Sequence, residues 1–119
     1  MKFIFDNERP IYIQLLEEIK IEIISERLKK GEKIPSVREL ALKSKVNPNT
    51  VQKALTELER EKLIYTERTN GKYVTRDDKI INKVKNDIIK DKVNKFISDL
   101  ENIGIKENEI KNYLERKDY

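Results

Sequence analysis

A chain of 119 residues, 40% charged and 37% hydrophobic, has room for one small domain or one domain with an appended helical segment, and is too short for most two-domain enzymes. So modest a core gains stability from burial shared with a partner chain. The net charge of +4, from 26 basic and 22 acidic side chains, points only weakly to nucleic acid, so where the cations lie matters more than their sum. The absence of Cys and His excludes Cys/His zinc sites, thiol redox chemistry and the usual neutral-pH proton switch, and no metal or cofactor is expected. No apolar run approaches membrane-spanning length and MKFIFDNERP lacks the apolar core of a secretory signal, so the expectation is a cytoplasmic protein with no membrane partner.

Residues 1–9 read as a loosely extended lead-in, with Phe3, Ile4 and Phe5 available to pack on the body. Pro10 marks a helix start, and Tyr12, Leu15, Leu16, Ile19, Ile23 and Ile24 recur at helical spacing, which predicts a first helix to about Leu28. Tyr12 and this stripe read as core packing. Glu32 to Ile34 reads as a short extended segment before Pro35.

The stretch from Pro35 to Leu58 predicts two helices joined by a tight turn. Ser36 and Glu39 have capping-box spacing, starting a helix at Val37 that buries Val37, Leu40 and Ala41. After Val46, expected as a buried turn residue, Asn47 caps a second helix with Pro48 at its first position. Val51, Ala54, Leu55 and Leu58 give that helix one apolar face, while Asn49, Gln52, Lys53 and Thr56 lie opposite. Those four side chains have the chemistry to touch base edges and phosphates in a major groove. Taken alone, the same face fits plain solvation equally well.

Leu63 to Glu67 and Lys72 to Thr75 read as strands around Asn70-Gly71, a strong hairpin signal. Beside a helix-turn-helix this hairpin is a wing, whose tip residues Arg68, Thr69, Asn70 and Lys72 could approach a minor groove or phosphates; an ordinary solvated turn is the alternative. Arg38, Lys43, Lys45, Lys53, Arg68, Lys72 and Arg76 supply cations in this region. Glu57, Glu59, Glu61 and Glu67 lie there too, so the basic surface must be one-sided to bind an anion.

Beyond Arg76 the apolar stripe Ile81, Val84, Ile88, Ile89, Val93, Phe96, Ile97, Leu100 and Ile103 predicts a helix from about Asp77 to Asn102, roughly 39 Å long. Gly104 suits its end, and Glu107 to Arg116 reads as a final helix with Ile110, Tyr113 and Leu114 facing inward. The expected architecture is therefore mainly α with a small β-hairpin wing: a winged helix-turn-helix over 1–76 and a two-helix dimerisation segment over 77–119. Ile81, Val84, Ile88, Val93, Phe96, Ile97 and Leu100 would pair with a second copy; packing on its own winged domain is the alternative.

Several segments together resemble the GntR superfamily of bacterial transcription regulators, in its YtrA-like branch: PIYIQ at 10–14, GEKIPSVRELA at 31–41, VNPNTV at 46–51, and Leu58-Glu59 leading to Leu63-Ile64. The resemblance covers nearly the whole chain, including the tail. It implies DNA contacts from Ser36 and Arg38, from Asn47, Asn49, Thr50, Gln52 and Lys53 on the recognition helix, and from Arg68, Thr69 and Gly71 on the wing. The family usually has glycine where this chain has Thr69, which restricts how closely the wing backbone enters a minor groove, and Lys106 replaces the usual small polar cap of the last helix. The implied function is a homodimeric, sequence-specific repressor on an inverted-repeat operator in double-stranded DNA, regulating a transporter operon. No effector pocket follows from the sequence. A winged-helix module for protein contacts is the alternative, and it would want an acidic or apolar recognition face. An enzyme is disfavoured because no Gly-rich phosphate loop, spaced acid pair or activated nucleophile stands out.

Overall fold

A computed structural model describes residues 1–116, which form seven elements: α1 (Ile11–Ile24), α2 (Val37–Ser44), α3 (Pro48–Arg60), β1 (Ile64–Glu67), β2 (Gly71–Val74), α4 (Asp78–Asn102) and α5 (Glu107–Arg116). The fold is mainly helical, with a two-stranded antiparallel wing after the helix-turn-helix and long helices at the C-terminal end. The chain divides into two compact units within α4, between Val84 and Lys85.

In the first unit, Pro10 opens α1 by accepting the amides of Ile13 and Gln14 on its carbonyl. Leu15, Ile19 and Ile23 are fully buried, whereas Tyr12, Leu16 and Ile24 are half-buried. The helix stops at Ile24, short of the expected Leu28, because Glu26 turns left-handed (φ 65) and the Ser25 hydroxyl donates to the Glu22 carbonyl. Leu28 then folds back, donating its amide to the same carbonyl and burying its side chain without being helical.

The capping box of α2 is complete: the Glu39 amide donates to Ser36 Oγ at 3.1 Å and the Ser36 amide to Glu39 Oε1 at 3.2 Å. Asn47 Oδ1 accepts the Asn49 amide at 2.8 Å to start α3. Caps of this kind stabilise a helix by roughly 0.5–2 kcal/mol over alanine. Leu40 and Ala41 are buried as expected, while Val37 and the turn residue Val46 are half-buried. Val51, Ala54, Leu55 and Leu58 are all at most 1% exposed, on the side of α3 that packs against α1, α2 and β1. The end of α3 is a Schellman closure: the Leu63 amide reaches the Leu58 carbonyl, the Lys62 amide reaches that of Glu59, and both leucine side chains are fully buried.

β1 and β2 pair in the register Ile64↔Val74, Tyr65↔Tyr73, Thr66↔Lys72 and Glu67↔Gly71. Gly71 carries the positive φ (108) that closes the hairpin, and the preceding Asn70 does not share it. On its other side β2 meets the segment between α1 and α2: Gly31 donates to the Val74 carbonyl, Val74 to that of Glu32 and Ile34 to that of Lys72, each at 2.9 Å. The extended character of 32–34 was expected; this pairing was not. Gly31 is favoured by its φ of 74; a Cβ there would fall 2.4 Å from the Arg76 guanidinium carbon, the end of a flexible side chain that can move aside.

In the second unit, α4 ends in another Schellman closure, with Ile105 donating to Leu100 and Gly104 (φ 91) to Glu101. The Lys106 amide donates to Glu109 Oε1 at 3.3 Å, so α5 starts through its glutamate although no small polar cap precedes it. Ile110 is buried, but Tyr113 and Leu114 are 42% and 55% exposed rather than inward-facing, because one line of side chains is all that a two-helix unit covers.

Candidate nucleic-acid interface

The capped turn fixes α3 so that its buried stripe leaves Asn49, Gln52, Lys53 and Thr56 exposed on the opposite side. Gln52 Nε2 donates to Thr56 Oγ1 at 3.3 Å, which orients the carboxamide along the helix. Asn47 spends its oxygen on the cap and keeps its NH2 group available, and Thr50, beside it, is half-buried. At the entrance to α2, Ser36 Oγ acts as acceptor in the capping box, so its hydroxyl proton is still free to meet a phosphate oxygen. Hydrogen bonds from the Ser36 amide and then its side chain hold the Glu39 carboxyl below the usual carboxylate range.

Charge is sorted on this surface. Glu57 is engaged by Arg60 at 2.8 Å, Glu59 by Lys72 at 2.9 Å and Glu61 by Lys20 at 3.0 Å. Arg38, Lys43, Lys45 and Arg68 are exposed and have no ion-pair partner among the described residues. Those three carboxylates are therefore tied up beside the basic face, while Glu39, closed into its capping box, and Glu67 on β1 have no ion pair among the described residues. Lys45 holds the left-handed turn position (φ 58), which places a cation at the joint of the helix pair.

At the wing, Arg68, Thr69 and Asn70 form the exposed loop, followed by Gly71, also exposed. Lys72 does not project from the tip as expected: its ammonium lies 2.9 Å from Glu59 Oε1 and 2.8 Å from Thr66 Oγ1. The Arg76 guanidinium packs over Gly31. Glu59, which also accepts a hydrogen bond from Thr66, thus fastens α3 to the base of the wing. Sequence reasoning counted Glu59 among acidic residues to be explained away; its place on the same helical line as Gln52 and Thr56 was the available signal.

The hydrogen bond from Thr66, then the contact with Lys72, holds the Glu59 carboxyl below its ordinary value. A depressed folded pKa stabilises at pH above the ordinary carboxylate range, and that stability disappears as pH falls through the folded value. Glu59→Gln is accordingly expected to cost about 0.2–1 kcal/mol at neutral pH, the range for a pair this exposed, and to flatten the acid limb of stability. Urea unfolding from neutral to about pH 3 measures both effects.

Among the dimerisation candidates, Val93 and Phe96 are 47% and 43% exposed on α4, and Ile89, adjoining them, is 47% exposed. Ile81, Ile88, Ile97 and Leu100 are half-buried, and Val84 is buried within its own chain, so it has no exposed surface to offer a partner. Among the described residues no cluster of carboxylates is disposed to hold a metal ion, and no helix is long and apolar enough to cross a membrane.

Residues 11–74 match the model of the family described as bacterial regulatory proteins, gntR family. The chain is 39% identical over 100 residues to the HTH-type transcriptional repressor YtrA of Bacillus subtilis (strain 168), a match spanning 83% of this chain and 77% of that one. A solved GntR family transcriptional regulator from Listeria monocytogenes is 42% identical, with a TM-score of 0.85 over 94% of this chain and 98% of the other. AraR(DBD), solved in complex with operator ORX1, matches 60% of this chain and 93% of its own at 28% identity and a TM-score of 0.57.

Proposed function

Because the chain belongs to the gntR family of bacterial regulatory proteins, we propose that this DNA-binding transcription regulator works as a homodimeric repressor on an inverted-repeat operator. Family membership makes it a regulator rather than an enzyme. The observation that carries the reading is the sorted charge: Arg38, Lys43, Lys45 and Arg68, without ion-pair partners among the described residues, accompany the exposed polar face of α3, while Glu57, Glu59 and Glu61 are paired with other cations. In this reading Ser36 and Arg38 grip phosphates, Asn49, Gln52 and Lys53 read base edges with Asn47 and Thr50 beside them, and Arg68, Thr69 and Gly71 form the second grip. Residues 1–76 are the DNA-reading part and 77–119 the dimerising part.

Two features support the dimer and the repressor role. Ile89, Val93, Phe96, Leu100 and Ile103 follow one another at alternating steps of four and three residues, the spacing of a helix-pairing seam, and three of them are exposed on α4. The similarity to a protein named as a repressor supports the sign of regulation. A transporter operon as target follows from the resemblance to the YtrA-like branch, and a cytoplasmic site of action suits a regulator that acts on DNA.

Selection of duplexes from random DNA by the purified protein tests the reading. An inverted repeat with half-sites about one helical turn apart is expected, and enrichment of no motif at moderate salt would overturn it. On the selected operator, Arg38→Ala should weaken binding to every sequence and lower the salt slope by about 0.9 for each phosphate that the side chain no longer neutralises. Gln52→Ala should instead cost about 1–3 kcal/mol for each base edge it reads and relax preference at one position of each half-site. Equal weakening on operator and random DNA for Gln52→Ala would show that it does not read.

A further inference from the structure

Tyr12 is a large aromatic residue on the first turn of α1, yet it is only half-buried, unlike Leu15 and Ile19 further along the same stripe. Its ring turns one face toward α3, and Lys53 Nζ lies 3.8 Å from the ring centroid. The Tyr12 hydroxyl has no hydrogen-bond partner among the described residues, so the ring is what the neighbouring helix uses. Lys53 makes no ion pair among the described residues, although the Glu57 carboxylate lies within electrostatic reach of it. The acidic residue one turn along, Glu57, is occupied by Arg60 at 2.8 Å. An ammonium with no carboxylate bonded to it, seated on the face of an aromatic ring, is held in place by the ring quadrupole.

We infer that Tyr12 is a positioning residue for DNA reading: its ring holds the Lys53 ammonium in place on the exposed face of α3 before DNA arrives. The inference rests on the reading of Lys53 as a DNA contact. An ammonium carries three donors, so a ring face can take one while others reach a guanine edge or a phosphate oxygen. A lysine already restrained loses less side-chain freedom on binding than one that is free, and affinity rises by that difference. The stripe position of Tyr12 therefore serves two purposes, apolar contact below and cation placement above.

The test compares Tyr12→Phe, Tyr12→Leu, Lys53→Ala and the Tyr12→Leu/Lys53→Ala pair in equilibrium binding to the selected operator and its single-base variants, with thermal melts alongside. Tyr12→Phe keeps the ring and should bind like the parent. Tyr12→Leu should weaken binding about two- to fivefold, on the same operator variants that respond to Lys53→Ala, and should add nothing to the weakening already caused by Lys53→Ala. Additive effects, or a Tyr12→Phe defect as large as that of Tyr12→Leu, would overturn the proposal while leaving Lys53 as a DNA contact. Lys53→Ala binding like the parent would overturn both. Should Tyr12→Leu melt too early to assay, NMR relaxation in the unaltered protein decides: the Lys53 ε-methylene must be more restrained than that of exposed Lys43, and equal mobility overturns the inference.

Discussion

Aspartate placed at Val93 and Phe96 together is expected to leave a folded monomer that binds the operator about 10² to 10⁴ times more weakly, because the second half-site no longer benefits from an attached partner. Both side chains are nearly half exposed on α4, so in the isolated chain the change exchanges apolar surface for charge where water already reaches. In a paired seam the same positions would bring carboxylates of two copies together out of water, where like charges repel and desolvation opposes burial. Sedimentation of the variant, with titrations of the full operator and of a single half-site, measures the effect. Half-site affinity should be unchanged. Retention of the dimer, or equal weakening on full and half-site DNA, would show that the seam lies elsewhere.

Leu55→Ala is expected to lower unfolding free energy by about 2–5 kcal/mol, the range for a large-to-small change in a sealed core. Leu55 is 1% exposed on the side of α3 that faces α1, α2 and β1, so the cavity would open beneath the reading helix itself. Against a total of about 5–15 kcal/mol for a small domain, that is a large share. Urea unfolding should show a lower midpoint with an unchanged slope. Operator binding should fall only as the folded fraction falls, which separates this variant from Gln52→Ala. A decrease below about 1 kcal/mol would mean the site collapses around the smaller side chain.

Much of the fold was legible because its signals are local. Ser36 and Glu39 lie three residues apart, Asn47 precedes Pro48, and Gly104 follows an apolar stripe, so each announces its own helix end within one turn of chain. What escaped depends on partners more than one helical turn away in sequence, from five residues to several tens. Gln14 is buried although it belongs to no apolar stripe, because its carboxamide meets the Asp6 amide and the carbonyls of Asp6 and Arg9. Glu22 is buried beside Arg27 at 3.0 Å. Lys72 looked like a free wing cation until Glu59 was brought to it, and Lys20 met Glu61 across 41 residues. Candidate contacts were readable residue by residue on α3, yet which cations remain unpaired and what holds Lys53 are properties of the packed molecule.

The pairing of β2 with residues 31–34 bears on how the protein meets DNA. Swinging the wing away from the helix pair would require the three hydrogen bonds donated by Gly31, Ile34 and Val74 to break together, so their amides should exchange with solvent as one slow group. The reading head then searches as a stiff body rather than as a hinged arm. In the proposed complex, the wing backbone that would settle on the duplex is the loop Arg68 to Asn70, at about 1–2 kcal/mol of ordering entropy per residue, and sequence changes in that loop should then retune residence time while leaving the proposed contacts of α3 intact.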